Sequence, residues 1–137
     1  MLRRIERLDG IDQRLRAVVI EAVSHLSFDV QVIEGLRTLA RQKEYYAIGR
    51  PGGPPGPTVT DTLASKHLVG RAVDLAPLQA DGSLNWKDSA SFDKLAAAMF
   101  EACKVVGVRI RWGADWDQDG KPRERGESDS PHFELVS

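Results

Sequence analysis

Residues 50–57 are the segment that most restricts the fold of this 137-residue chain, because four of the eight are proline and three are glycine. Proline lacks a backbone N–H and fixes φ, so such a run fits neither a helix nor a central strand. The 49 residues that precede it are few for a separate domain. We therefore expect a surface loop within one domain that spans residues 1–137, and not a linker between two domains.

The composition favours a single domain without nucleic-acid or membrane partners, and we expect this domain to be a monomer. Hydrophobic residues make up 42% and charged residues 28% of the chain, and 19 basic against 20 acidic residues give a net charge of −1. This balance provides no general attraction to nucleic acid or anionic lipid. No apolar run reaches the roughly 20 residues of a membrane helix, and residues 1–10 do not resemble a secretory signal. Cys103 is the only cysteine, which excludes an intrachain disulfide and a cysteine-rich zinc module.

Hydrophobic periodicity predicts an alternation of helices and strands. Helical spacing indicates helices over residues 11–26, 39–48 and 89–106, and the last of these ends at Gly107. Short apolar or alternating runs indicate strands over residues 29–33, 71–75, 108–112 and 132–136. Residues 77–88 resemble a turn, and residues 115–130 a polar loop. Because the connections are uneven in length, an α+β fold is favoured over a doubly wound parallel sheet.

One carboxylate stands in an unexpected place, since Asp74 interrupts the apolar run of residues 72–76. A carboxylate buried in a strand is costly unless it is paired or bound to a cation. Gly70 lets the chain turn before this strand, so that His67 can fold back beside Asp74. The alternative that this segment leaves open is that Asp74 forms a salt bridge with Arg71 or caps a turn.

A second candidate segment begins at Asp129 and contains His132 directly after a proline. Together with His67 and Asp74, His132 completes a set of two imidazoles and one carboxylate, which is typical of catalytic zinc with water in the fourth position. Zinc lowers the pKa of such a water to about 7. Asp129, three residues before His132, is then the predicted base for the water proton.

Glu134 is an alternative to Asp129 as the base. On a strand it lies two residues beyond His132 and therefore on the same face. It could instead orient a ligand imidazole by accepting a hydrogen bond from it. The sequence leaves both roles open.

These motifs resemble those of a known group of enzymes. The sequence SKHLVGRAVD (residues 65–74), followed far downstream by PHFE (131–134), resembles the VanY-like D-alanyl-D-alanine carboxypeptidase superfamily. The short phage L-alanyl-D-glutamate endopeptidases, a class of endolysin, are the most similar members. EGLRTLARQ (34–42) resembles their first motif, and WGADW (112–116) resembles the segment before their last ligand. The resemblance extends over residues 30–135.

The resemblance implies a small α+β fold of the hedgehog and D,D-peptidase type, with a mostly antiparallel sheet flanked by helices. It implies a zinc-dependent peptidase that cleaves the peptidoglycan stem peptide and is held in the host cytoplasm until lysis. The implied site consists of zinc ligands His67, Asp74 and His132, catalytic residues Asp129 and Arg37, and substrate-binding residues Ser65 and Gln42. Physically, a guanidinium near zinc can stabilise an oxyanion or bind a D-glutamate carboxylate.

The loop after Trp112 also contains the opening pattern of a calcium-binding loop. Asp115, Asp117 and Asp119 alternate before a turn glycine, as in an EF-hand. Gly126 occupies the position of the closing glutamate, so the motif is incomplete, although Glu124 and Glu127 are near. Calcium is therefore a possible second cofactor, and a solvated acidic loop is the alternative.

Two other functions remain open from the sequence. A D,D-carboxypeptidase or D,D-endopeptidase could use the same metal site on D-alanine-containing peptides. A non-catalytic, metal-stabilised module that binds the cell wall would belong to a different class. Asp129 argues against the second alternative, because a purely structural metal site needs no base.

Overall fold

A five-stranded sheet organises the protein, as described by a computed structural model that covers residues 1–36, 47, 70–115, 118, 122 and 129–136. Along the chain the described elements are β1 (Leu2–Arg3), a 3-10 helix (Ile5–Leu8), α1 (Gln13–Ser24), β2 (Val30–Glu34), β3 (Ala72–Pro77), α2 (Ser89–Val106), β4 (Ile110–Trp112) and β5 (His132–Leu135). The α+β prediction is confirmed. Of the predicted helix over residues 39–48, only Ala47 belongs to the described residues, and it is helical.

The strands follow the order β1-β2-β3-β5-β4. Strands β1 and β2 are parallel, whereas the pairs β2–β3, β3–β5 and β5–β4 are antiparallel. The sheet is therefore mixed and mostly antiparallel. The middle strand is β3 and its neighbour β5 is also an inner strand; these two strands carry Asp74 and His132.

Alternation along the strands gives the sheet two different faces. Val73, Leu75 and Phe133 are fully buried in one hydrophobic core, which also includes the apolar sides of α1 and α2. Because successive side chains of a strand point to opposite faces, Asp74, His132 and Glu134 project from the other face. The helices thus support the sheet from one side, and the polar residues lie on the opposite side.

Helices α1 and α2 each begin after an aspartate that caps the first turn. The Asp12 carboxylate accepts a hydrogen bond from the backbone N–H of Arg14 at 2.8 Å, and its hydrogen bonds with the Arg14 side chain lower the pKa of Asp12 to about 2. Asp88 caps α2 in the same way through the N–H of Ser91. Gly107 ends α2 in the left-handed conformation at φ 85°, as the sequence predicts.

The structure corrects several predicted boundaries. Helix α1 is shorter than predicted by about one turn in total, because it starts only after Asp12 and ends at Ser24. Strand β3 continues to Pro77, where residues 77–88 are expected to form a turn. Pro77 is the register partner of Val30 on β2. Strand β1 is not predicted, because two residues are too few to show any alternation.

Candidate metal and catalytic site

The candidate site starts from a row of side chains that crosses three strands. Asp74 of β3 is the register partner of Glu34 on β2 and of His132 on β5. Residues directly opposite each other in a sheet project to the same face. Since His132 follows Asp74 by 58 residues in the chain, the pairing of β3 with β5 is what brings these two predicted ligands together.

His132 is nearly buried and is held between two carboxylates. Its Nδ1 lies 3.1 Å from Asp74 Oδ1, and its Nε2 lies 2.8 Å from Glu134 Oε1. Burial alone would lower the pKa of His132, but hydrogen bonds to Asp74 and Glu134 and the charges of Asp74 and Asp129 outweigh it and raise the pKa to about 10. In the metal-free protein the imidazole is therefore protonated at neutral pH.

Raising the pH is expected to destabilise the metal-free protein through His132. Because the pKa rises from 6.5 to about 10 on folding, the stabilisation from this group is complete below about pH 6.5 and is lost as the pH increases through about 10. Denaturant unfolding of chelator-treated wild type and His132→Gln should therefore give a stability difference that shrinks with rising pH. A difference independent of pH would show that the buried imidazole is not charged.

A tight turn places Asp129 next to His132. The backbone N–H of His132 donates to the carbonyl of Asp129 at 3.1 Å. The indole Nε1 of Trp112 donates to the carbonyl of Ser130 at 2.7 Å, and the N–H of Gly113 donates to the carbonyl of His132 at 2.8 Å. Asp129 is itself exposed. Strand β4 thus anchors the turn that carries the predicted base, while its carboxylate remains accessible.

Trp112 belongs to the core and not to the wall of a cleft. Its side chain is 5% exposed, and its ring lies parallel to that of Phe133 at a centroid distance of 6.3 Å. By sequence alone, a tryptophan in the WGADW segment could either frame a cleft or pack in the core. Its indole N–H is a functional contact that sequence reasoning missed, although the conspicuous WGADW segment pointed to the region.

Gly113 is required because the Asp129 turn packs directly against it. A Cβ at residue 113 would lie 2.2 Å from the carbonyl oxygen of Asp129 and 2.8 Å from its Cβ. Both distances are far below van der Waals contact, and the first involves backbone that cannot rotate away. Any side chain at residue 113 must therefore displace the turn.

Gly113→Ala is expected to destabilise the protein by roughly 1–3 kcal/mol, as overpacking usually does, and also to reduce activity because it moves Asp129. Thermal unfolding and a cell-wall hydrolysis assay measure the two effects. Gly82→Ala is a suitable control, since residue 82 has a positive φ but no atom within 4 Å of the added Cβ. The control should lose some stability and keep its activity. Equal activity in both variants would contradict the role of the turn.

Gly70 fixes the chain where it enters β3. Its φ is 71°, a conformation that favours glycine, and an added Cβ would lie 2.4 Å from the carbonyl oxygen of Gly10. Its own carbonyl accepts a hydrogen bond from the N–H of Asp12 at 2.9 Å. The sequence prediction that Gly70 turns the chain before β3 is therefore confirmed. This hydrogen bond attaches the residues that precede β3 to the beginning of α1.

The remaining predicted residues are only partly described. Asp115 forms an isolated bridge with Trp112. The other residues named for the site and for the calcium loop lie outside the described residues, namely Arg37, Gln42, Ser65, His67, Trp116, Asp117, Asp119, Glu124, Gly126 and Glu127. Their roles, and the calcium loop, stay predictions. Within the described ranges, no three His, Cys, Asp or Glu side chains are arranged to hold a metal ion on their own.

The donor chemistry of the described pair fits a zinc site with one further ligand. An imidazole nitrogen and a carboxylate oxygen approach each other on a largely buried face, and both atom types are zinc ligands in catalytic sites. The third ligand expected from the sequence is His67.

Comparison with known proteins identifies the family. A family model described as phage L-alanyl-D-glutamate peptidase matches residues 2–136. The chain belongs to this family. It is 31% identical over 134 residues to the L-alanyl-D-glutamate peptidase of Escherichia phage T5, a match that covers 96% of this chain and 93% of that protein.

Two further relatives of the family agree with this assignment. The peptidoglycan L-alanyl-D-glutamate endopeptidase CwlK of Bacillus subtilis (strain 168) is 29% identical over 115 residues, which are 84% of this chain and 65% of that protein. The crystal structure of the Serratia marcescens L-Ala D-Glu endopeptidase ChiX superposes with a TM-score of 0.77 at 30% identity, covering 99% of this chain and 90% of that chain. The resemblance inferred from the motifs is therefore confirmed, and so is the fold class.

Proposed function

We propose that the protein is a zinc-dependent endolysin that cleaves the L-alanyl–D-glutamate bond of the peptidoglycan stem peptide. The observation that carries the proposal is the pairing of Asp74 with His132 beside the exposed Asp129. The family supports the choice of the L-alanyl–D-glutamate bond, since the phage T5 and Bacillus relatives are named as peptidases of this bond. Residues 1–137 would form one peptidase domain.

The proposed zinc ligands are His67, Asp74 and His132. When bound, zinc would supply a Lewis acid that polarises the scissile carbonyl and acidifies a water molecule. Asp74 and His132 come from adjacent central strands, so the sheet holds these two donors in a fixed relation. Such rigidity is what a catalytic metal site requires of its scaffold.

Asp129 is the proposed general base. Its carboxylate is exposed, as contact with water and substrate requires, and its turn is held by hydrogen bonds from β4 and β5. It would accept a proton from the attacking water and donate it to the leaving amine of D-glutamate. The alternative base, Glu134, is only 5% exposed, and its Oε1 already contacts His132 Nε2. The geometry therefore favours Asp129.

Substrate recognition is proposed for residues outside the described ranges. Arg37 would bind a carboxylate or carbonyl oxygen of the stem peptide, since a guanidinium offers two parallel donors to a carboxylate. Ser65 and Gln42 would line the same cleft through a hydroxyl and an amide. The protein would act as a monomer on the cell wall, after release from the cytoplasm of the host at lysis. Among the described residues, no helix is long and apolar enough to cross a membrane.

Digestion of purified peptidoglycan with the recombinant protein tests the proposal. Mass spectrometry of the muropeptides should find new C-terminal L-alanine and new N-terminal D-glutamate, and metal analysis should find one zinc per chain. Released D-alanine would instead indicate a D,D-carboxypeptidase. Binding to sacculi with no fragments released would indicate a non-catalytic wall-binding module.

A further inference from the structure

Glu134 is a buried carboxylate for which the proposed reaction has no use. It lies on β5 two residues beyond His132 and is 5% exposed. A buried charge is costly unless other groups stabilise it. Its register partner on β4 is Arg111, which places an opposite charge on the same face of the sheet, and its partner on β3 is the small Ala72. The sheet is thus built to keep a carboxylate at residue 134.

The contacts of His132 indicate what this carboxylate does. The two ring nitrogens point to different partners: Nδ1 lies 3.1 Å from Asp74, and Nε2 lies 2.8 Å from Glu134. A carboxylate accepts hydrogen bonds only, so without metal both ring nitrogens carry a hydrogen. Zinc requires a lone pair on one of them, and Asp74 is itself a proposed zinc ligand. Nδ1 is therefore the nitrogen that would release its hydrogen, and Nε2 would keep its hydrogen bond to Glu134.

We propose that Glu134 is a positioning residue that holds His132 as the Nε2–H tautomer, so that Nδ1 faces the zinc site beside Asp74. The inference rests on the proposed function. A group that accepts a hydrogen bond from a ligand imidazole generally fixes the orientation of the ring and makes its other nitrogen a stronger ligand for the metal. Loss of such a group lowers metal affinity by about 10–100-fold. Glu134 acts through His132 and does not touch the substrate.

Two substitutions separate this role from the alternatives. Glu134→Gln retains an acceptor oxygen of similar size, whereas Glu134→Met removes the acceptor and retains the volume. Competition with a chromophoric chelator should show that Glu134→Met binds zinc about 10–100-fold more weakly than wild type. Glu134→Gln should remain within a few-fold of wild type. Glu101→Gln on the exposed side of α2 is a control for the loss of one carboxylate.

Nitrogen-15 NMR of the imidazole rings provides a readout that does not depend on activity. The chain has only three histidines, so a His132→Gln spectrum assigns the resonances of that ring. In the zinc-loaded wild type, His132 should show a protonated Nε2 and an unprotonated Nδ1. In Glu134→Gln the Nε2–H resonance should move upfield, since an amide is a weaker acceptor. This measurement decides the question even if Glu134→Met does not fold.

Each contrary result has a distinct meaning. Unchanged zinc affinity in a folded Glu134→Met, or an Nδ1–H tautomer in zinc-loaded wild type, would overturn the positioning role alone. Loss of hydrolysis in Glu134→Gln with normal zinc affinity would also overturn it and would identify Glu134 as the base. A wild-type protein that binds no zinc would overturn the metal site and this inference with it.

Discussion

Replacing Asp129 with alanine is expected to slow peptidoglycan hydrolysis by about 10²–10⁴-fold, the usual contribution of a general base. Zinc content should stay unchanged, because Asp129 is not one of the proposed ligands. The fold should also persist, since the exposed side chain is not part of the core and the turn is held by its backbone. Turbidity loss of bacterial sacculi and zinc analysis of the same sample measure both effects.

Asp93→Ala is a matched control for this prediction. Asp93 is an exposed carboxylate on α2, which supports the opposite face of the sheet, so its loss should leave hydrolysis and zinc content near wild type. If Asp129→Ala keeps most of its activity, the proton must be accepted by another group. Glu134→Gln would then identify that group.

Replacing Asp74 with alanine is expected to remove zinc and lower hydrolysis by on the order of 10³-fold or more, because metal-ion catalysis contributes several kcal/mol. The substitution takes one proposed ligand from the site and leaves His132 in contact with Glu134. Metal analysis after extensive dialysis, combined with the hydrolysis assay, measures the loss.

Chelation of the wild type provides the corresponding experiment without a substitution. Hydrolysis should disappear with the zinc and return when zinc is added back, whereas Asp74→Ala should not recover at the same zinc concentration. Asp93→Ala should behave like wild type in both steps. One tightly bound zinc per chain in Asp74→Ala would exclude Asp74 from the ligand set and contradict the proposed site.

The position of Asp74 could be predicted from the sequence because it violates a simple rule. A carboxylate within an apolar strand needs a partner, and the only question was which one. The sequence also suggested Arg71, but the structure places Asp74 against His132 at 3.1 Å. The unusual carboxylate is visible in the sequence of residues 72–76 alone. Its partner, His132, depends on the pairing of two strands that are distant in the chain.

The bounds of helix α2 could be predicted from local sequence signals alone. A regular apolar stripe and Gly107 at its end predict residues 89–106, which are the observed bounds, and the structure adds Asp88 as the cap of the first turn. Strand β1 shows the opposite case, because its two residues acquire their conformation only by pairing with β2. Local patterns predict elements that carry their own start and stop signals.

The two roles considered for Glu134 could not be separated by sequence. Spacing places it on the same face as His132, which is correct, but burial and hydrogen bonding distinguish a base from a positioning group. Burial depends on what neighbouring strands and loops place around the residue, and β4 and β3 provide Arg111 and Ala72. The same limitation applied to Trp112, whose place in the core depends on Phe133 of β5.

The location of β5 between β3 and β4 affects how the chain folds while it is being synthesised on the ribosome. Although β5 is the last of the five strands along the chain, it occupies an inner position of the sheet. A nascent chain that stops short of residue 132 therefore leaves β3 and β4 with open edges, which favour aggregation and proteolysis. Asp74 meets its imidazole only when residues 132–135 have been translated, so the proposed site cannot assemble before this strand joins the sheet.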